Sequence, residues 1–294
     1  MGYSGWRRIS ALTTLTPAEL DRQYNARAAI PGHPEILARW AARSARARQE
    51  RHCETDYYYG ATPAETLDFF PARQAGAPLL VFIHGGWWRS LDKRDFSFLA
   101  PPFVDAGASV ALINYSLAPQ ARIEDIVRQA LRACAWCWRN ARSLGADPER
   151  IHVAGHSAGG HLAAMMLAAD WPAWAPDLPP QLLRGGLAVS GVFDLEPVSR
   201  TPFLKQDLRL GRTAARRASP VRYLPPRSVP LHTAVGAEES AEFHRQTRLI
   251  REAWPQCAAG HLTLDGHNHL TVLEELGAPS SPLHRSALRM MGLP

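Results

Sequence analysis

Between two apolar stretches, IHVA (151–154) and GHLAAMM (160–166), the chain carries Gly155-His156-Ser157-Ala158-Gly159. A serine in this G-x-S-x-G spacing can sit on a sharp turn from strand to helix, with its hydroxyl lifted above the sheet and a helix N-terminus beneath it. That is where a nucleophile is useful. Acyl transfer through a serine builds negative charge on the carbonyl oxygen of the substrate, so donors must already point at it. Upstream, His84-Gly85-Gly86-Trp87-Trp88 follows the apolar run LLVFI (79–83). Glycines there allow close main-chain approach, and the amides of Gly86 and Trp87 can join that of Ala158 as an oxyanion hole. Gly85, Trp88, Gly155 and Gly159 shape the two turns, and His84 and His156 read as their hydrogen-bonding supports.

A serine hydroxyl is a weak nucleophile until a histidine accepts its proton and an acid orients that histidine. In α/β-hydrolases the chain order is serine, acid, histidine, the last two in loops after later strands. Two stretches meet this need. PLHTAVG (230–236) is followed by Glu238 and Glu239, and HLTLDG (261–266) by His267 and His269. His161, on the helix after the serine, reads as packing. No H-E-x-x-H or carboxylate cluster points to a metal, and no cofactor is expected.

For these side chains to meet, a sheet must bring the loops together. LLVFIH (79–84), SVALINY (109–115) and IHVAG (151–155) are short apolar runs of the kind found in strands buried on both faces. Helical patterns over about 123–144 and through AGGHLAAMMLAAD (158–170) alternate with them, as βαβ units and a mostly parallel sheet require. GGLAVSGV (185–192), PLHTAVG and HLTLDG continue the strands, while ESAEFHRQTRLIREAW (239–254) and HLTVLEEL (269–276) supply helices. The proline-rich stretches 171–181 and 201–230 read as loops. Before about residue 75 the sequence is polar, arginine-rich and helical in character, with Thr16-Pro17-Ala18-Glu19 as N-cap, N1 proline and capping-box acid. The expected organisation is an N-terminal extension or cap, 1–75, on an α/β-hydrolase catalytic core, 76–294, with helices on both faces of the sheet. Ligands of α/β sheets bind beyond strand C-termini, which predicts a pocket wall containing Trp87, Trp88, Asn114 and Tyr115.

Of 294 residues, 46% are hydrophobic and 20% charged, enough for one large core and too apolar for a disordered chain. No run approaches the roughly 20 apolar residues that cross a bilayer, and residues 1–10 lack the apolar stretch of a secretory leader, so a cytoplasmic setting is expected. Four cysteines, Cys53, Cys134, Cys137 and Cys257, are too few for a disulfide scaffold. The C-x-x-C of Cys134 and Cys137 lies in a helical pattern without a second ligand pair, so these thiols read as structural. A net charge of +6 raises an anionic partner. Its densest source, Arg39, Arg43, Arg46, Arg48 and Arg51, reads as a solvated helix face, and neither nucleic acid nor membrane is an expected partner.

In this order, HGGWW, GHSAGGHLAA, SGVFDLEPV, EESAEFHRQ and GHNHLTVLEEL resemble the α/β-hydrolase-type kynurenine formamidases (arylformamidases), relatives of the hormone-sensitive-lipase-like esterases. The resemblance spans roughly residues 79–276, and a weaker similarity at DRQYN (21–25) extends it towards the N-terminus. It implies metal-independent hydrolysis of an aryl formamide, N-formyl-L-kynurenine plus water giving L-kynurenine and formate, a step of tryptophan degradation. In that family a D-S-P-E-F-type segment carries the triad acid and a D-H-F-type segment the base. Matched residue by residue, the acid falls on Glu239, the base on His269 and the nucleophile on Ser157, with the HGG-x-W turn at His84 to Trp88. The family usually has aspartate where this chain has Glu239, which keeps Glu238 and Asp194 as alternative acids; His267 is the alternative base. Rival functions are a carboxylesterase or small-amide hydrolase on the same triad, and a catalytically silent binding protein using the hydrolase pocket. The expected partners are a small aryl amide or ester substrate and a second copy of the chain in a homodimer.

Overall fold

A strand made only of apolar residues has no face to offer water, so the runs at 79–83, 110–113 and 185–189 require a sheet covered on both sides. The computed structural model of the chain describes residues 15–227 and 229–294, and residues 1–10, expected to hold no secretory leader, lie outside the described residues. Among the described residues eight strands form one sheet: β1 (Glu54–Tyr58), β2 (Thr66–Phe70), β3 (Ala77–Ile83), β4 (Ser109–Ile113), β5 (Ala146–His156), β6 (Gly185–Val189), β7 (Leu231–Gly236) and β8 (Ala258–Leu264). Their order is β1-β2-β4-β3-β5-β6-β7-β8. From β4 through β8 every pairing is parallel, while β1 on β2 and β2 on β4 are antiparallel.

Alternation along β3 sorts its side chains between two cores. Leu79, Val81 and Ile83 pack with the helices Ile123–Asn140, Ala158–Leu167 and Ala241–Ala253. Leu80 and Phe82 point the other way, towards the helices His33–Glu50, Thr271–Leu276 and Pro282–Met290. Each fully buried side chain of this size contributes about 1.5–3 kcal/mol relative to exposure, so the sheet floor under the serine turn is held on both faces.

Three departures from the sequence reading have local causes. The expected boundary near residue 75 cuts a continuous sheet, because β1 and β2 precede it and pair onto β4. Asp68 hides β2: it is fully buried in TLDFF, its charge met by the Lys93 ammonium, so the strand does not read as apolar. The stretch 201–230 is not all loop, since Pro202 opens the helix Pro202–Leu208 and a second short helix spans Arg212–Arg217. The helix Pro282–Met290 was also unforeseen, although Ser281 caps it through the His284 amide and proline stands at its start.

At the N-terminus, Thr16 and Glu19 form the capping box that their spacing predicts. The arginine-rich helix is tied to the rest of the fold by Arg39 and Arg43, which pair with Glu274, and by Arg51 at its C-cap, which pairs with Asp105, while Arg46 pairs with Glu50 on the helix itself. Arg48 donates to the Arg94 carbonyl and Ser97. Cys134 and Cys137 are buried on the helix Ile123–Asn140, where burial pushes the Cys134 thiol up to about 12 and raises Cys137 as well, leaving both protonated. Among the described residues no helix is long and apolar enough to cross a membrane.

Candidate active site

β5 ends at His156 and the helix Ala158–Leu167 begins two residues later, so Ser157 alone makes the turn. It does so in a strained left-handed conformation, φ 57° and ψ −118°, anchored by its amide to the Val189 carbonyl on β6 at 2.8 Å. The helix then runs so close to β3 that a Cβ on Gly159 would lie 1.9 Å from the Ile83 carbonyl oxygen. Only glycine permits that approach.

Ser157 Oγ stands 3.0 Å from His269 Nε2, and His269 Nδ1 stands 2.6 Å from Glu239 Oε2. A carboxylate can only accept, so Nδ1 carries the ring proton and Nε2 is left to accept from the serine hydroxyl. All three side chains are buried. Glu239 follows β7 in a tight turn, and its other oxygen accepts from the Gly236 amide at 2.8 Å and from the Ser190 hydroxyl. The imidazole of His269 is packed between Phe243 and His156, with ring centroids 4.2 and 4.8 Å away. His156 Nε2 donates to the His269 carbonyl at 2.8 Å. Burial first, and charge on His269 second, hold the His156 pKa well below the ordinary histidine value. It therefore stays neutral and fixes the loop without competing for protons.

The rival residues go elsewhere. Asp194 caps its own loop by accepting from the Glu196 amide at 3.2 Å, and burial raises its pKa although Arg245 and Arg222 oppose the shift. Glu238 is exposed, and His267 Nε2 faces Glu275 at 3.7 Å. Of the candidate acids and bases, the fold brings Glu239 and His269 to Ser157.

The HGG turn lies against the serine turn. Gly86, Trp87 and Trp88 have φ of 101°, 53° and 55°, three consecutive left-handed residues. A Cβ on Gly86 would fall 2.1 Å from the Ser90 carbonyl oxygen, which folds back to close the turn. Among the described residues the amides of Gly86, Trp87 and Ala158 donate to no protein acceptor, and Gly86 and Trp87 line the cavity beside Ser157. His84 supports the turn from behind: Nδ1 donates to the Gly85 carbonyl at 2.8 Å, Nε2 contacts Asn114 Oδ1 at 3.0 Å, and the ring stacks on Tyr115 at 4.2 Å. Burial lowers its pKa.

Three expected pocket residues need correction. Asn114 and Tyr115 do not line the cavity above Ser157; Asn114 is bonded to His84 and Asp92, and the Tyr115 hydroxyl donates to the His84 carbonyl at 2.9 Å. The physical reason is strand order, since β4 ends underneath the HGG turn that follows β3. Trp88 is likewise fully buried, edge-on to His161 at 5.1 Å, which leaves Trp87 as the tryptophan of this turn in the wall.

The cavity has a volume of about 510 Å³ and is lined by Ser157, His269, Gly86 and Trp87 together with Arg27, Arg89 and Phe203. Tyr24 joins the N-terminal helix Pro17–Tyr24 to this site. Its ring meets Trp87 and Phe243 edge-on at 5.8 and 5.9 Å, and its hydroxyl donates to Glu242 Oε2 at 2.6 Å. Tyr24, Arg27 and Ser190 were missed from sequence. Tyr24 lies in the weakly similar DRQYN segment; Ser190 and Arg27 carry no local signal.

The BD-FAE family model matches residues 67–170. The kynurenine formamidase of Danio rerio is 30% identical over 256 residues, covering 84% of this chain and 85% of its own length. That of Salmo salar is 29% identical over 244 residues, 80% of each. A crystal structure from Silicibacter sp. TM1040, provisionally described as a thioesterase, aligns with a TM-score of 0.81 at 32% identity over 90% of this chain and 97% of that one. Fold and relatives together define an α/β-hydrolase, an enzyme that hydrolyses amide or ester bonds. More narrowly, the chain belongs to the kynurenine formamidase family.

Proposed function

We propose that the protein is a serine hydrolase that removes the formyl group from an aryl formamide, with N-formyl-L-kynurenine as the substrate and L-kynurenine and formate as products. Ser157 Oγ attacks the formyl carbon while His269 Nε2 takes its proton, and Glu239 steadies the imidazolium that results. The tetrahedral oxyanion accepts hydrogen bonds from the Gly86, Trp87 and Ala158 amides. His269 returns its proton to the arylamine nitrogen as the C–N bond breaks, which leaves a formyl ester on Ser157. Water then adds to that ester, its proton passing to His269 and on to the serine oxygen, and formate leaves.

One observation carries this reading: the hydrogen-bonded line from Ser157 through His269 to Glu239, 3.0 and 2.6 Å, opening on a cavity with an indole in its wall. We further propose that the helices of residues 17–50 act as the cap over that cavity, with Tyr24 bracing Trp87. A carboxylesterase is the second reading, favoured by an oxyanion geometry that serves an ester as well as an amide.

The test is steady-state hydrolysis of N-formyl-L-kynurenine beside p-nitrophenyl acetate, with wild type and Ser157→Ala. Turnover of the formamide that depends on Ser157 is expected. Ser157-dependent cleavage of the ester alone would retain the mechanism and discard the substrate.

A further inference from the structure

The part of the cavity lining that Arg27 and Arg89 supply carries charge that none of these steps uses. Arg27 and Arg89 both line the cavity. Arg89 has its counter-ion: it pairs with Asp207, donates to the Phe203 carbonyl at 3.1 Å and lies over the Phe203 ring at 5.4 Å. Arg27 differs. It donates to Ser90 Oγ at 3.2 Å, and among the described residues no carboxylate lies within ion-pair distance of it. Asp95 acts on Arg27 from beyond ion-pair distance and does not line the cavity, so the two cations of the lining share one lining carboxylate, Asp207.

That charge is poorly solvated. Arg27 is half-buried, and burial first and the neighbouring Arg89 second press its pKa below the usual arginine value, although a guanidinium remains protonated. A desolvated cation without a partner is unfavourable until a ligand brings an anion. The planar fork of a guanidinium matches a carboxylate, and the cavity that Arg27 shares with Ser157 is also lined by the indole of Trp87, edge-on to Phe203 at 6.0 Å.

We propose that this wall is a subsite for a carboxylate on the leaving-group side of the substrate, with Arg27 as the residue that selects for it. The inference rests on the acyl-transfer reading of Ser157 and applies to aryl formamides and aryl esters alike. A formyl or acetyl group occupies little of a 510 Å³ cavity, so the leaving group must fill the remainder. Asp207, beside Arg27 through Arg89, gives an amino-acid end a second point of contact through its ammonium group.

Two substrate pairs test it in wild type, Arg27→Gln and Arg27→Lys: N-formyl-L-kynurenine against its primary carboxamide, and 3-acetoxybenzoate against phenyl acetate. Within each pair the ratio of kcat/KM measures the preference for the anion and does not depend on how much of a variant is folded. Wild type should prefer the anion by about 10–100-fold, the worth of a charge-assisted hydrogen bond, expressed mainly in KM. Arg27→Gln should abolish the preference and Arg27→Lys keep part of it. Wild type without any preference, or an unchanged ratio in Arg27→Gln, would overturn the subsite. An Arg27-dependent preference in the ester pair without turnover of the formyl pair would keep the subsite and remove the formamidase reading; formyl turnover with a ratio indifferent to Arg27 would do the reverse.

Discussion

Ser157, Glu239 and His269 are buried at strand ends and held by bonds from the sheet and its loops, whereas Arg27, Arg89 and Phe203, which form a second wall of the cavity lining, are half-buried on short helices and turns. The first wall is over-determined. Ser157 is fixed by β6, Glu239 by both Gly236 and Ser190, and His269 by two flanking rings and a bond from His156. On the second wall Arg27 has one hydroxyl for a partner. Chemistry that tolerates little displacement is set on the rigid floor, and substrate choice is left to side chains that few contacts constrain.

This contrast makes separate demands on kcat and KM. Glu239→Gln should strike the first wall hardest: the amide is unable to hold His269 in the required tautomer, and kcat should fall by about three to four orders of magnitude. Asp194→Asn, measured beside it, should change kcat by less than about threefold, because Asp194 serves its own loop. Equal losses, or a loss in Asp194→Asn alone, would break the assignment of Glu239. The Arg27 variants come next, at 10–100-fold in a substrate ratio. Ser190→Ala should give the smallest effect on the first wall, about a tenfold fall in kcat with KM unmoved, since the Gly236 amide still holds the carboxylate. A rise in KM instead would show that Ser190 belongs with substrate binding and would blur the division between the walls.

The same contrast explains what the sequence disclosed. Both glycine turns were legible because turn chemistry is local: the residues that force a left-handed serine, or let an amide approach a ligand, are adjacent in the chain. The parallel strands were legible because burial on both faces leaves uninterrupted apolar runs. Choosing between Glu239 and Asp194 was beyond residue types alone, since the choice depends on which loop reaches His269 across the sheet. Asn114 and Tyr115 were placed in the pocket because each ends a strand, and the order that sets β4 beneath the HGG turn leaves no mark in a linear pattern. β2 was hidden by Asp68, whose partner Lys93 is 25 residues away. Arg27 belongs to no motif, and its significance appears only when the missing counter-ion is seen.

The proposed hydrolysis depends on Ser157 being the group that attacks. Labelling with a fluorophosphonate, followed by intact mass and peptide mapping, asks this directly. The account predicts one adduct, on Ser157, absent from Ser157→Ala protein with the same circular dichroism spectrum. Folded wild-type protein that takes up no label, or takes it up on another residue, would contradict it.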